Sequence, residues 1–257
     1  MRAACCEATV LSHEAVAADI RLLRVLWPDR EHLPHAGQFF TLRAWGADEA
    51  PFLSRPISVH KWEPQTQTVE FLYQVIGEGT QKLAALKQGD SFQLTGPMGN
   101  GFDIPALTQT YQKIAVVGGG IGTAPMYQVT RELAAAGCKP DVFFGFRDTP
   151  YCMEEYRSIA NIVKVSTDTG AVGFHGFVTQ LYDPADYDAV LVCGPTVMMK
   201  NAARLCAEKG TPCFVSLEKK MACGIGACLG CTCETKGGEG KSVCKNGPVF
   251  DATEVVF

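Results

Sequence analysis

The sequence lacks the features that mark several classes of protein. It has no long hydrophobic run, because its most apolar long stretch, Ile114 to Met126, is too short for a membrane span and is crowded with glycine. No apolar N-terminal run ends in a cleavage site. Its 23 basic and 27 acidic residues give a net charge of −4, so no basic face for nucleic acid is expected. We predict a cytoplasmic protein with neither a membrane nor a nucleic-acid partner.

Patterns for hydrolytic sites and histidine metal sites are also missing. The five histidines show no H-x-x-x-H pairing, and no serine stands in a nucleophile-elbow context. Twelve cysteines are too few for a small disulfide scaffold. Six of them, however, lie between Cys213 and Cys244. This window is where we expect the chemistry.

Hydrophobic periodicity divides the 257 residues into three predicted domains. Residues 1–102 contain short β-rich runs punctuated by glycine and proline, which predicts an antiparallel β-barrel. Residues 103–215 alternate strands with helices, which predicts a Rossmann-like parallel sheet. Residues 216–257 hold the cysteine cluster and have too little apolar mass to fold by burial alone, so a metal centre would supply the missing stabilisation. The predicted fold class is therefore β-barrel plus α/β, with a small C-terminal metal domain.

The strongest motif is the cysteine pattern of the C-terminal domain. It has the spacing C-x4-C-x2-C, with a fourth cysteine thirteen positions later: Cys223, Cys228, Cys231 and Cys244. This is the spacing of a plant-type [2Fe-2S] site. Glycines at 224, 226 and 230 let the backbone approach the sulfides and aim N–H groups at an anionic cluster. The alternatives are structural zinc, for which a second knuckle is missing, and unliganded cysteines. Cys233 is a spare thiol that competes as a ligand, although the spacing favours Cys231.

A second motif is a glycine-rich turn between a predicted strand and helix. Gly118, Gly119, Gly120 and Gly122 precede a helix that has Pro125 in its first turn. Such a turn places bare amides and the positive helix end against a pyrophosphate. The spacing is not G-x-G-x-x-G in register, so a tight turn without a ligand is the alternative.

Two further segments carry binding signals. Cys193-Gly194-Pro195 ends a late strand, where open α/β sheets bind ligands, although Cys193 also suits a small buried residue. In the predicted barrel, Arg55-Pro56-Ile57-Ser58 is accompanied by Gly79-Thr80 on a strand-to-helix turn. An arginine fork holds a diphosphate, and the amides of the turn bind an anion. Alone, Arg55 would more often be a solvated surface residue.

Taken together, these motifs resemble those of the ferredoxin-NADP reductase superfamily. The C-terminal segment, Met221 to Cys228 with Cys231 and Cys244, followed by Gly247 to Ala252, resembles one branch closely: the electron-transfer subunits of class 1B dihydroorotate dehydrogenase. The resemblance spans the whole chain.

The resemblance implies three cofactors and assigns residues to each. FAD would contact Arg55, Pro56, Ile57, Ser58, Leu72, Tyr73, Gln74, Gly79 and Thr80 in the barrel. NAD would contact Gly118, Gly119, Gly120, Gly122, Cys193, Gly194 and Pro195 in the Rossmann-like domain. The [2Fe-2S] ligands would be Cys223, Cys228, Cys231 and Cys244.

The resemblance also implies a function in pyrimidine biosynthesis. An FMN-containing catalytic subunit would oxidise dihydroorotate, and this chain would carry the electrons through [2Fe-2S] and FAD to NAD+, in a heterotetramer of two copies of each chain. Related alternatives are the small subunit of an NADH-dependent ferredoxin-NADP oxidoreductase or of a sulfide dehydrogenase, and a free-standing oxygenase reductase. A non-catalytic nucleotide-binding module with structural zinc is the alternative from another class. The choice between NAD and NADP stays open, because Arg147 suits either a 2′-phosphate or a solvated loop.

Overall fold

A curled antiparallel sheet of seven strands forms the first part of the computed structural model, which describes residues 3–257. Its strands pair in the order β4-β3-β7-β1-β2-β6-β5. The edge strand β4 also contacts β6, so the sheet curls towards a barrel. Along the chain, helix α1 (Glu78–Ala84) lies between β6 and β7. The strands are β1 (Ala4–Ala15), β2 (Ile20–Leu26), β3 (Phe39–Arg43), β4 (Arg55–Ser58), β5 (Lys61–Glu63), β6 (Thr68–Gln74) and β7 (Ser91–Met98).

Aromatic side chains fill the inside of this sheet. Phe40 packs edge-to-face against Trp27 and Phe71, with ring centroids 5.0 and 5.6 Å apart. All three rings are fully buried. Edge-to-face pairs of this kind add to the stabilisation that the buried apolar area already provides. The barrel therefore has its own core, separate from that of the second domain.

A parallel sheet with helices on its faces forms the second part. Every residue of β8 and β12 is buried, as expected for parallel strands covered on both faces. Within residues 3–257 no helix combines the length and the apolar character that a membrane span needs. The cytoplasmic location stays a prediction. The elements are α2 (Ile104–Thr110), β8 (Ile114–Gly119), α3 (Thr123–Ala135), β9 (Asp141–Phe146), α4 (Met153–Arg157), β10 (Ile162–Thr167), β11 (Phe174–His175), β12 (Ala189–Cys193), α5 (Thr196–Lys209) and β13 (Cys213–Ser216).

The C-terminal segment packs against this parallel sheet. It contains the hairpin β14 (Thr232–Glu234) and β15 (Gly240–Ser242), the short helix α6 (Val243–Asn246) and the strand β16 (Val249–Asp251). Strand β16 pairs antiparallel with β13 and completes the order β11-β10-β9-β8-β12-β13-β16. Its buried cysteines share one apolar core with β8, β12 and β13. The architecture is the predicted class, while the domain boundaries at 102 and 215 stay predictions.

Polar contacts fix the barrel against helix α3. The Trp62 amide donates to Gln128 Oε1 at 2.9 Å, and Arg131 donates to the Trp62 carbonyl at 2.8 Å. The buried ring of His60 lies with its Nδ1 2.6 Å from the Ala124 carbonyl oxygen. Because Ala124 is in the first turn of α3, these bonds hold the glycine-rich turn at a set place relative to the barrel.

Candidate functional site

A cavity of about 250 Å³ lies where the barrel, the parallel-sheet domain and the C-terminal segment meet. We call it the central cavity. Most of the residues predicted to contact FAD line it: Arg55, Pro56, Ile57, Ser58, Leu72, Tyr73, Gln74 and Thr80. Gly79 is the predicted residue that does not line the cavity, but it contacts the Arg55 side chain. The structure thus brings two distant barrel segments to one site.

Arg55 is placed to bind an anion. Its guanidinium carbon lies 5.9 Å from the centre of the Trp45 ring, and none of the ion pairs among residues 3–257 includes it. The Arg55 side chain packs against Gly79 in the first turn of α1. The first N–H groups of this helix have no carbonyl partner inside the helix. The Thr80 hydroxyl accepts from the amides of Ile76 and Gly77, which closes the turn that carries these groups. Arginine and free amides together form a phosphate-binding arrangement.

Gly79→Ala is expected to weaken FAD binding. A Cβ at this position would lie 2.3 Å from Arg55 Nε, so the guanidinium must move. Losing a charge-assisted hydrogen bond costs about 1.5–3 kcal/mol, or roughly 10- to 150-fold in the FAD dissociation constant. Flavin fluorescence titration of the apoprotein measures this. Gly77→Ala is the matched control, because a Cβ there meets no atom within 4 Å. Equal FAD affinity in the two variants would contradict the role of Arg55.

The opposite wall of the central cavity comes from residues that sequence reasoning did not assign. Two of these residues lie next to motifs in the sequence. Met221 is two positions before Cys223, and Pro248 is in the segment Gly247 to Ala252 that carries the family resemblance. Glu218 gave no signal; it lines the cavity from an exposed position, and desolvation by the neighbouring protein raises the pKa of its carboxyl. Besides the predicted FAD contacts, the cavity is lined by Phe39, Ile76, Ile121, Ala124, Pro125, Cys193, Ser216, Leu217, Glu218, Lys219, Met221 and Pro248, of which Cys193 was predicted as a nucleotide contact.

A second cavity, of about 650 Å³, opens at the carboxyl ends of the parallel strands. We call it the sheet-edge cavity. Gly119, Gly120 and Pro195 line it, as predicted for nucleotide contacts. Cys193 instead lines the central cavity, and it is also buried there; burial raises the pKa of its thiol. Both interpretations of Cys193 are therefore compatible with its position.

The remaining predicted glycines face protein. A Cβ on Gly118 would lie 2.8 Å from the Phe144 ring, and one on Gly122 would lie 2.5 Å from Gly194 Cα. Gly122 therefore lets the glycine-rich turn touch the backbone that follows β12. This contact joins two loops that the sequence analysis treated separately, and it places them side by side at the edge where open α/β sheets bind ligands.

Charged residues of both signs border the sheet-edge cavity. Arg147, Lys200 and Arg204 line it together with Asp168. The arginines and the lysine suit phosphate groups, while a carboxylate suits a ribose hydroxyl. The arrangement suits a nicotinamide dinucleotide, and both this site and the choice between NAD and NADP stay predictions.

The four predicted cluster ligands lie in pairs. Within each pair, the backbone amide of one cysteine donates to the sulfur of the other: Cys228 to Cys223, and Cys244 to Cys231. Within residues 3–257, no three side chains of His, Cys, Asp or Glu converge on the site of a single metal ion. Two pairs of thiols suit a cluster of two irons held by four cysteines.

Backbone N–H groups point at each of these sulfurs. Amides lie 3.1 to 3.4 Å from the Sγ atoms of Cys223, Cys228, Cys231 and Cys244; they come from Cys228, Gly230, Cys244 and Gly226 respectively. Gly224 and Gly226 have φ values of 70° and 79°, which the loop needs in order to turn its amides inward. Although partial burial raises it, hydrogen bonds from the amides of Cys228, Ile225 and Ala227 lower the pKa of Cys223 to about 6. These amides favour the thiolate of Cys223, the form that binds iron, whereas burial and the neighbouring Cys231 raise the pKa of Cys244 to about 12.

Cys233 differs from these four cysteines. It is buried, and its Sγ donates to the Lys241 carbonyl at 3.3 Å across the hairpin of β14 and β15. Burial raises the pKa of this thiol. A protonated thiol that donates to a carbonyl has a structural role, so the geometry favours Cys231 over Cys233 as the third ligand.

Comparison with known sequences points to one family. The profile described as the iron-sulfur cluster binding domain of dihydroorotate dehydrogenase B matches residues 218–256. The electron transfer subunit of dihydroorotate dehydrogenase B (NAD(+)) from Clostridium acetobutylicum is 44% identical over 221 residues, which cover 86% of each chain. The subunit of the same description from Caldanaerobacter subterraneus subsp. tengcongensis is 38% identical over 98% of each chain.

Solved structures extend the comparison. The structure of an NADH-dependent reduced ferredoxin-NADP oxidoreductase, studied for flavin-based electron bifurcation, covers 96% of this chain and 89% of its own, with 28% identity and a TM-score of 0.85. A ferredoxin reductase of carbazole 1,9a-dioxygenase covers 82% of this chain and 68% of its own, at 22% identity and a TM-score of 0.67. The second likeness concerns the fold alone.

Proposed function

The chain belongs to the family of electron transfer subunits of dihydroorotate dehydrogenase B (NAD(+)), and we propose that it carries electrons from a dihydroorotate-oxidising partner to NAD+. The family match includes the cluster-binding segment and extends over the barrel and the parallel sheet. The finer proposals are the residues of each site, the FMN of the partner and an assembly of two copies of each chain.

One observation carries the proposal. The central cavity is bordered on one side by Ile121, Ala124 and Pro125 of the nucleotide domain, and on another by Lys219 and Met221, which lead into the cluster loop. A flavin exchanges both hydride and single electrons, whereas a nicotinamide exchanges hydride and an iron–sulfur cluster exchanges single electrons. A flavin site that touches both neighbouring sites is what an electron-transfer subunit requires.

The barrel residues bind and orient the flavin in this proposal. Arg55 supplies a positive charge, and the neighbouring amides of Gly79 and Thr80 supply free N–H groups. Together they hold the diphosphate. Ser58 supplies a hydroxyl to the cavity, and the buried Tyr73 forms part of its wall. Tyr73 is itself held by His13, whose Nε2 lies 3.0 Å from its hydroxyl.

The C-terminal loop would hold the cluster through four thiolates. The amides directed at each sulfur stabilise negative charge there and so favour the thiolate over the thiol. Cys231 and Cys244 are each 2% exposed, whereas Cys228 is exposed. The exposed side of the loop, which also carries Ile225 and Leu229 at 60% and 65% exposure, supports a partner approaching there.

The likeness to the ferredoxin-NADP oxidoreductase structure supports a second candidate. In that reading the chain would be the small flavin and iron–sulfur subunit of a related oxidoreductase with another catalytic partner. The four-cysteine ligand set and the 44% identity to a dihydroorotate dehydrogenase subunit favour the first candidate.

Reconstitution tests the proposal. The holoprotein is mixed anaerobically with an FMN-containing dihydroorotate dehydrogenase catalytic subunit, and the mass of the complex is measured by light scattering. The proposal predicts a complex of two copies of each chain that reduces NAD+ with dihydroorotate. The second candidate predicts no complex with this subunit, and activity only with reduced ferredoxin and NADP+ together with its own partner.

A further inference from the structure

A short barrel segment supports both ends of the cluster loop. Met98, at the end of β7, contacts the loop directly after its first ligand: a Cβ on Gly224 would lie 2.8 Å from Met98 Sδ. Asn100 contacts the chain directly after the last ligand, Cys244: its side-chain amide donates to the carbonyls of Lys245 and Asn246 at 3.1 and 3.3 Å. We call residues 98–100 the docking segment.

Backbone contacts strengthen the same junction. The Asn100 amide donates to the Gly247 carbonyl at 2.6 Å, and the Val249 amide donates to the Asn100 carbonyl at 3.3 Å. Gly99, with φ +81°, makes the approach possible, because a Cβ there would lie 2.6 Å from Pro248 Cδ. The docking segment is thus matched closely to the chain that follows Cys244.

The docking segment also adjoins the central cavity. Met98 is opposite Phe39 in the pairing of β7 with β3, and Phe39 lines the cavity. Pro248, which packs on Gly99, lines it too. From the barrel side, the buried Gln38 donates to the Gly99 carbonyl at 2.9 Å. The segment therefore lies between the proposed flavin site and the proposed cluster loop, and is held from both sides.

We propose that Asn100 is a positioning residue that sets the distance between the cluster loop and the flavin site. The inference rests on the proposed function. Asn100 touches no predicted ligand sulfur and does not line the central cavity. Its two side-chain hydrogen bonds go to carbonyls within two residues of Cys244, so they fix the last ligand relative to the barrel. Electron transfer between two sites depends steeply on their separation, and a loosened loop therefore slows it.

The test uses the full chain with flavin and cluster bound, and NADH as the only electron donor. Asn100→Ala removes both side-chain donors, and Asn100→Asp keeps the shape but turns a carboxylate towards two carbonyls. Asn161→Ala is the matched control, because Asn161 is also exposed and donates one hydrogen bond, to Asp141, far from both sites. Three quantities are measured: the rate of flavin reduction, the rate of cluster reduction, and the hydrogen exchange of residues 243–250.

Both Asn100 variants are expected to keep wild-type iron content and flavin reduction. Hydrogen exchange of residues 243–250 becomes about tenfold faster, as the loss of two ordinary hydrogen bonds implies, and cluster reduction slows. Asn161→Ala changes neither the hydrogen exchange of residues 243–250 nor the rate of cluster reduction. Unchanged exchange and cluster reduction in both Asn100 variants would overturn the inference. A parallel loss of flavin reduction or of iron would also overturn it, since Asn100 would then only maintain the fold. No dihydroorotate or partner enters this test, so its outcome is independent of the partner assignment.

Discussion

Cys231→Ala is expected to abolish the iron–sulfur cluster, whereas Cys233→Ala leaves it in place. The two cysteines are two positions apart and equally buried, so the pair separates ligand function from burial. The Cys231 sulfur accepts the Cys244 amide and lies beside the Cys244 thiol, while the Cys233 sulfur donates to Lys241. Iron and acid-labile sulfide are lost only in the first variant, because three thiolates leave one iron incompletely bound.

Loss of the cluster should remove one activity of the complex and leave another. The Cys231→Ala complex retains NADH-dependent dye reduction, since the central and sheet-edge cavities are not lined by Cys231. Its dihydroorotate-dependent reduction of NAD+ falls to background. Retained flavin shows that the variant is folded. Wild-type iron in Cys231→Ala, or loss of iron only in Cys233→Ala, would show that the ligand set is wrong.

Gly122→Ala is expected to weaken binding of the nicotinamide nucleotide strongly. The added Cβ would lie 2.5 Å from Gly194 Cα and 2.6 Å from the Cys193 carbonyl oxygen, and neither backbone atom can rotate away. Relieving the overlap moves the turn that presents Gly119 and Gly120 to the sheet-edge cavity. Overpacking of this kind costs about 1–3 kcal/mol, or roughly 5- to 150-fold in affinity. The NADH dissociation constant, measured by calorimetry, checks this.

The control for this prediction is Gly237→Ala. A Cβ at Gly237 meets only Thr235 Oγ1, at 3.9 Å, so it adds no strain. Its NADH affinity should equal that of the wild type. If Gly122→Ala also binds NADH like the wild type while retaining its flavin, the nucleotide does not depend on the glycine-rich turn.

The sequence predicted those features that depend on local pattern. The parallel strands, such as β9 and β12, are continuous apolar runs, which the sequence displays directly. The cysteine spacing and the alternation of strand and helix are equally local. The motifs around Arg55 and Gly79 are each local, and it was the family resemblance that assigned both to the FAD site; their contact depends on the fold.

Features that depend on long-range pairing were missed or misplaced. Strand β1 (Ala4–Ala15) was not predicted, because its short and charged side chains have little strand preference; it forms by pairing with both β2 and β7. The β-rich run Ile57–Trp62 reads as continuous in the sequence but is divided between β4 and β5, which pair with β3 and β6 respectively. Glu218 and Lys219 were missed for the same reason, because only the fold brings them to the central cavity beside the barrel.

In the proposed function, electrons from dihydroorotate reach NAD+ through this chain. The most direct measurement is the amount of NADH formed for each dihydroorotate consumed by the complex purified anaerobically from its own host. We expect one NADH per dihydroorotate, and none when the chain carries Cys231→Ala. Dihydroorotate oxidation without NADH formation, or a complex that ignores dihydroorotate while reducing dyes with NADH, would contradict it.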